Sequence, residues 1–414
     1  MFLPLPSGGF CAKIHNRIFI SILRGASAAS ILKTRGAKRL SSHKTKESAG
    51  RESRRTQKKN SGGALRAVGR ILIVLLETIL LVVGGLYCAG YVALKGPWEV
   101  MGDQMVIMLR ESSAMKWFPL LYYSEEEIAR IEHVEEAEDY APTDTSLITI
   151  STERPVTENG AGWTDARGVF HPDEDEDGII IEPVKGAGYS GYMMIVEDPS
   201  RVIMGSIPSS YGKRGYVLSE YVEYFDGVAG TNAGGFYDPG GMGDGSIPDS
   251  VVVVDGQIYY SEYGCGTEGG GGIAAIDGNH ILHVARYMSR QELIDNDIRY
   301  AVCYGPVLIS NGVSADPNSL IKSLNPRTAI GQCADGAMLF LVIDGRQVVS
   351  MGAKYQDLVE IMERYGAVNA VNLDGGSSSM LWFRDHYVNN SSSVIGVRDM
   401  PTSFVILKEG ANNG

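Results

Sequence analysis

Apolar residues alternate with polar ones, or run together briefly, through the second half of the chain. This pattern predicts strands at 192–196, 201–205, 251–254, 307–310, 339–343, 370–373 and 403–407. Between them lie stretches with helical spacing at 219–225, 289–297 and 355–365. In the last, Leu358, Ile361, Met362 and Tyr365 fall on one face. Strands and helices alternate without a regular strand–helix–strand repeat. The expected fold class is therefore α+β, a mixed sheet-rich domain with interspersed helices, rather than a doubly wound sheet.

Upstream the pattern changes. Residues 71–94 read ILIVLLETILLVVGGLYCAGYVAL, with Glu77 as the single charge. At about 1.5 Å per residue this is long enough to cross a bilayer, and its length and flanks favour a membrane span over a buried globular helix. It is also too long for a signal-peptide core and lacks a small-x-small exit. Residues 100–123 are apolar with scattered charges and suit a helix near the membrane or one packed on the main domain. Ser124 and Glu127 then form a capping-box signature for a polar helix. The expected layout is a basic disordered head at 1–65, a transmembrane helix at 66–95 and a juxtamembrane helical segment at 96–140. A linker and acidic loop at 141–187 and the main domain at 188–410 follow.

Charge orients this layout. The net charge of −12 conceals 16 Lys/Arg against 2 acids in the first 70 residues and 21 against 47 in the rest. With Arg66 and Arg70 directly before the span and acids after it, the expectation is a single-pass cell-membrane protein. Its N-terminus would be cytoplasmic and its large domain extracytoplasmic. A basic head joined to an acidic body could mean a nucleic-acid tail, but the apolar span between them argues against a nucleic-acid partner. Glycine is abundant, at 51 residues, and clusters between Gly227 and Gly278 and around Gly375, so the bias lies in particular loops. Five cysteines (Cys11, Cys88, Cys265, Cys303 and Cys333) contain no CxxC pair and describe no disulfide scaffold.

Candidate chemistry begins at Val368–Met380, VNAVNLDGGSSSM, where a buried strand ends on Asp374 followed by two glycines and three serines. Such a carboxylate beside closely approachable backbone suits sugar or phosphate chemistry, although Asp-Gly-Gly also makes a plain turn. Three further glycine-framed polar segments accompany it. They are Gly230–Asp238 (GTNAGGFYD), Tyr304–Ile309 (YGPVLI), and Asn325–Gln332 (NPRTAIGQ) leading to Val342–Arg346. Arg398–Phe404 (RDMPTSF) closes the domain.

In order, N-[AG]-G-x-F, R-T-A-[IL]-G and N-L-D-G-G-x-S-[ST]-x-[ML] resemble the motif set of the phosphodiester glycosidase family. The likeness covers about half of the chain, roughly Gly188 to Leu407, and the membrane-tethered layout resembles that of bacterial members. The resemblance implies hydrolysis of a sugar-1-phosphodiester that releases the sugar and leaves phosphate on the other alcohol. For that chemistry Asp374 is the carboxylate best placed as base, nucleophile or stabiliser of an oxocarbenium-like transition state, and Asp238 is the second carboxylate. Arg327 offers a planar fork to phosphate, or makes a structural salt bridge, with Thr328 as a neighbouring donor. Asn232, in a loop with Gly234 and Gly235, donates to sugar or phosphate or else caps a turn. Gly375 and Gly376 amides with Ser377 and Ser378 hold phosphate. Ser377 stands where family members often carry a third glycine. Asp344 is expected to make a hairpin turn.

No metal or other cofactor is expected. His280, His283 and His386 belong to none of the motifs, and no His/Cys cluster points to zinc. Asp173, Asp175, Asp177 and Gly178 open like a calcium loop, but Val184 stands where the closing Glu should be, so a solvated acidic turn is expected. The partners implied are a glycan or glycosyl-phosphodiester substrate and the membrane. The leading function is an extracytoplasmic hydrolase acting on envelope glycan or exopolysaccharide. A non-catalytic glycan-binding or scaffold module, and a metal-dependent phosphodiesterase, are the competing readings.

Overall fold

The computed structural model describes residues 49–112, 115–133, 140–150, 160–238, 244–260, 271–392 and 396–410, with side chains from 66 onward. Two compact units are distinguished, one ending at Val82 and one running from Val83 to Gly414. A continuous helix runs Ala49–Lys95. Residues 49–65, expected to be disordered, are thus helical, and the remainder of the basic head lies outside the described residues. Within this helix, Arg66–Lys95 is long and apolar enough to cross a membrane, and none of its most apolar window is buried against protein.

The second unit is built on antiparallel pairing. A seven-stranded sheet runs Val313–Ser314, Val307–Ser310, Ala367–Leu373, Arg327–Cys333, Met338–Ile343, Tyr189–Val196, Ile179–Gly186 in spatial order. A five-stranded sheet runs His386–Tyr387, Leu381–Phe383, Gly227–Asn232, Thr402–Leu407, Val202–Ser206. Another runs Leu282–Ala285, Ile273–Asp277, Ile298–Cys303, Val251–Val254, Gln257–Tyr260.

Side-chain parity divides the central sheet between two cores, because successive residues of a strand point to opposite faces. Ile195, Ala329, Leu339 and Leu341 pack with Leu358, Ile361, Met362 and Tyr365 of the helix Tyr355–Tyr365. Met194, Ile330, Phe340 and Val342, one residue away on the same strands, pack instead against Met204, Ala229 and Phe404 of one five-stranded sheet and Ala274, Leu282 and Val302 of the other. The helix Leu218–Tyr224 covers the outer face of the first of these through Leu218, Tyr221 and Val222 against Ile203 and Val405. The central strands are therefore buried on both faces, which is why they read as apolar runs rather than alternation.

Two expectations need correction. The stretch 141–187 is not all linker, since Ile179–Gly186 is the edge strand of the seven-stranded sheet, paired along its length with Tyr189–Val196. Gly162–Thr164 and Phe170–Pro172 form a small hairpin ahead of it. Asp344 makes no hairpin turn: it lies buried past the end of Met338–Ile343 and accepts from Asn389 Nδ2 at 3.0 Å and from the Asn390 amide at 3.1 Å. Among the described cysteines, Cys303 is disulfide-bonded, while Cys88 and Cys333 are free thiols.

The segment after the long helix is part of the second unit. It forms helices Glu99–Arg110 and Glu125–Glu132, the latter closed by the expected capping box of Ser124 and Glu127. Leu94, Val106 and Ile128 make a small apolar cluster there, and Lys95 pairs with Glu127 at 3.2 Å.

Candidate active site

The motifs converge where strands of two sheets end side by side. Asp374 follows Ala367–Leu373, Arg327 opens Arg327–Cys333, and Asn232 closes Gly227–Asn232. Thr328 lies opposite Leu373 in the central sheet.

Asn232 is 1% exposed and every polar atom of its amide is used inside the protein. Its Nδ2 donates to the Asp374 carbonyl at 2.6 Å, and its Oδ1 accepts from Thr328 Oγ1 at 2.8 Å and from the Met380 amide at 3.1 Å. This side chain clamps one sheet to the other and fixes the backbone of Asp374. Asn232 and Thr328, 1% and 0% exposed, thus bond to each other and hold the backbone around Asp374. Gly234 and Gly235 continue the same wall, their amides donating to Thr402 Oγ1 at 3.1 Å and to the Cys303 carbonyl at 3.0 Å.

Asp374 is half-buried, with its side chain turned toward groups that polarise it. Desolvation by the surrounding protein is the largest influence and pushes its pKa up to about 7. The Ser378 hydroxyl, the Gly375 amide (2.8 Å) and the positive charge of Arg398 resist that rise, while the negative charge of Asp238 adds to it. Asp238 is itself ion-paired with Arg398 at 2.9 Å, and Arg398 also donates to Ser377 Oγ at 3.3 Å. The two expected carboxylates therefore share one electrostatic environment, with Arg398 between them and the serine turn.

The glycine turn after Asp374 is shaped by contact. A Cβ at Gly375 would stand 2.9 Å from the Pro326 carbonyl oxygen, and Gly376, at φ +63°, faces the Arg346 guanidinium. Only glycine fits such a position without strain, and the Gly376 amide donates back to the Pro326 carbonyl at 2.9 Å. This turn lays the Asp374 loop directly against the Arg327 segment.

Arg327 is 3% exposed, stacks over the Tyr355 ring at 3.8 Å and donates to Ser323 Oγ at 2.8 Å. Around it stand groups to which the sequence reading gave no role. Arg346 donates to Asn325 Oδ1 at 3.0 Å. Desolvation draws the Arg346 pKa below its ordinary value, the like charge of Arg327 acts in the same direction, and Glu111 opposes both. Burial pushes the Tyr304 and Tyr355 hydroxyls up, with the charges of Arg327, Asp374 and Glu111 as further influences. Glu111 arrives from the far side of the sequence, accepting from Ser323 Oγ at 2.5 Å and from Asn325 Nδ2, with Arg327 at 3.6 Å. Arg346 and Asn325 flank recognised motifs and carried that much signal. Ser323, Tyr355 and Glu111 carried none, because only tertiary packing brings them here.

Away from the site, the Asp173, Asp175 and Asp177 carboxylates gather on one loop as the sequence pattern suggested, and Arg384 crosses Asp175 and Asp177 as a counter-charge.

Residues 226–407 match a family model described as phosphodiester glycosidase. A Bacillus subtilis (strain 168) protein, the SPbeta prophage-derived uncharacterized protein YomE, is 27% identical over 150 residues, covering 35% of this chain and 23% of its own. The N-acetylglucosamine-1-phosphodiester alpha-N-acetylglucosaminidase of Bos taurus is 25% identical over 114 residues, covering 23% of this chain and 21% of its own. The chain thus spans less than a quarter of the length of either relative. Among solved structures, the zebrafish N-acetylglucosamine-1-phosphodiester alpha-N-acetylglucosaminidase catalytic domain, auto-inhibited by its pro-peptide, aligns with a TM-score of 0.45 at 15% identity. That alignment covers 66% of this chain and 96% of that one.

Proposed function

We propose that this chain, whose residues 226–407 match the phosphodiester glycosidase family model, hydrolyses the glycosidic C–O bond of a sugar-1-phosphodiester. The observation that carries the reading is Asp374, its pKa pushed up to about 7 by burial, on a turn whose Gly376 amide donates to the Pro326 carbonyl directly before the buried Arg327. A carboxyl group that titrates near neutrality suits proton transfer, and a desolvated guanidinium suits a phosphate.

In this scheme Asp374, as carboxylate, takes a proton from a water whose oxygen bonds to the anomeric carbon. The bond from that carbon to the phosphate oxygen breaks, and the electron pair leaves with the phosphomonoester. Arg327 stabilises the charge that develops on the departing phosphate, which needs no strong acid to leave. Asp238, held by Arg398, keeps negative charge beside Asp374 and so favours the protonated product state. Ser377 and Ser378 line the same turn.

The apolar helix Arg66–Lys95 supports anchoring in a membrane, and Arg66 and Arg70 before it favour a cytoplasmic N-terminus. A disulfide at Cys303 is in keeping with an extracytoplasmic domain. Envelope glycan or exopolysaccharide carrying sugar-1-phosphate links is the substrate class we assign. The test is to incubate the detergent-solubilised full chain with N-acetylglucosamine-1-phospho-6-mannose and related diesters, and to measure free sugar. Turnover lost in Asp374→Asn supports the reading. If no diester in the panel turns over, while the panel still binds, the chain is a glycan-binding module instead.

A further inference from the structure

Asp173 departs from the solvated acidic turn expected of its loop. It is 4% exposed, and its two carboxylate oxygens meet different fates. Oδ2 accepts from the Gly178 amide at 2.7 Å, while Oδ1 is buried with no hydrogen-bond partner among the described residues. Leaving a buried carboxylate oxygen so is costly. Asp175 and Asp177 add to the demand, because the three carboxylates each bring an oxygen within 4.8 Å of the others. Like charges gathered in this way require a cation. Arg384 meets the demand in part, pairing with Asp175 and with Asp177 Oδ2 at 3.4 Å, and Asp173 Oδ1 stays unmet.

The loop supplies oxygen donors in an order that suits one kind of cation. Asp173, Asp175, Asp177 and Gly178 stand at the first, third, fifth and sixth positions of a calcium loop. Gly178 has φ +75°, the left-handed backbone that the sharp turn at its position needs. Ile179, which opens the edge strand Ile179–Gly186, stands at the seventh position, where such a loop offers a backbone carbonyl. His171 is engaged with Glu182 at 2.8 Å, so the set is of oxygen alone and favours a hard cation. The bidentate glutamate of the twelfth position is lacking. Val184 stands there, buried in the core, and the nearby Glu182 is held by His171 and Tyr365. Binding should therefore fall at the weak end for calcium loops, about 10⁻⁴–10⁻³ M, the range of extracellular modules.

We infer that Asp173, Asp175 and Asp177, with the Ile179 carbonyl, hold a calcium ion ahead of the edge strand. The loop is a junction between sheets. Phe170–Pro172 leads into it and Ile179–Gly186 of the seven-stranded sheet leads out. Arg384, directly after Leu381–Phe383 of a five-stranded sheet, reaches its carboxylates. Arg201, directly before Val202–Ser206 of that sheet, donates to the Asp177 carbonyl. An ion bound there stabilises the folded protein by mass action and fixes this junction. The site stands whether or not the chain is a hydrolase, since none of its residues enters that scheme.

The test melts the full chain in detergent micelles, stripped of ions with a chelator, by scanning calorimetry in rising calcium chloride or magnesium chloride. Calcium is expected to raise Tm by about 3–6 °C at tenfold excess over its dissociation constant. Magnesium, which demands octahedral geometry and sheds water reluctantly, should raise it far less. Asp173→Asn should abolish the calcium shift. Asp175→Asn replaces an exposed side chain, should fold as wild type does, and should need at least about tenfold more calcium for the same shift. It serves if Asp173→Asn folds poorly. No calcium shift in wild type overturns the site and leaves Arg384 as the cluster's counter-charge. An equal shift with magnesium overturns its assignment to calcium, and an undiminished shift in Asp175→Asn overturns its location.

Discussion

At the scale of single residues, the chemistry turns on how the protein surrounds Asp374. Desolvation holds its pKa at about 7 in the folded state, against 3.8 for an ordinary aspartate. If the carboxylate is the base, kcat/KM should rise with pH through about 7 and then level off. Asp374→Asn should erase that limb and lower kcat by roughly 10²–10⁴; a pH–rate profile checks both. The stability consequence has a definite sign. Because the folded-state pKa is raised, the folded protein holds a proton that the unfolded chain has released, and stability falls as pH rises from about 4 through 7. Asp374→Asn should therefore melt a few degrees higher than wild type at pH 8 and at nearly the same temperature near pH 3.5, as scanning calorimetry would show. An aspartate followed by two glycines and hydroxyls was legible in the sequence as a candidate. The inward orientation of Asn232 and Thr328 was not, because a motif records which residue is present and not which way its side chain turns.

Among the elements, the decisive feature is the joint between strand ends. Asn232 holds the Asp374 carbonyl, the Thr328 hydroxyl and the Met380 amide at once, so Gly227–Asn232 of one sheet and Ala367–Leu373 of the other are fixed together. Asn232→Ala leaves those three groups buried and unpaired, with an expected cost of about 2–4 kcal/mol in chemical denaturation and a fall in kcat from a displaced Asp374. If Asn232 instead served only a ligand, stability would stay within error and KM alone would move. Most elements could be read in advance: the strand 251–254, the helix 355–365 and the capping box at Ser124 and Glu127 stand where periodicity put them. Ile179–Gly186 was hidden because it is an edge strand, whose Pro183, Lys185 and Gly186 resemble a loop and discourage further pairing.

On the scale of the whole molecule, the seven-stranded sheet lies between the helix Tyr355–Tyr365 on one face and two five-stranded sheets on the other. Strand order cannot be read from periodicity, because the same alternation satisfies many pairings. The meeting of Glu111 with Ser323 and Asn325 was equally hidden, since it depends on where the segment before the domain returns to it. The candidate membrane helix was visible from length and composition. Its proposed orientation predicts that protease added to intact cells degrades residues 140–410 without permeabilisation. Protection of that region until the cells are opened would place the domain on the cytoplasmic side.

The central claim is that water attacks carbon and not phosphorus. Hydrolysis of N-acetylglucosamine-1-phospho-6-mannose by the full chain in water enriched with heavy oxygen, with products read by mass spectrometry, tests it most directly. The account predicts one heavy oxygen on the released N-acetylglucosamine, none on mannose 6-phosphate, and loss of both products in Asp374→Asn. Heavy oxygen appearing on the phosphate would contradict it and identify the chain as a phosphodiesterase.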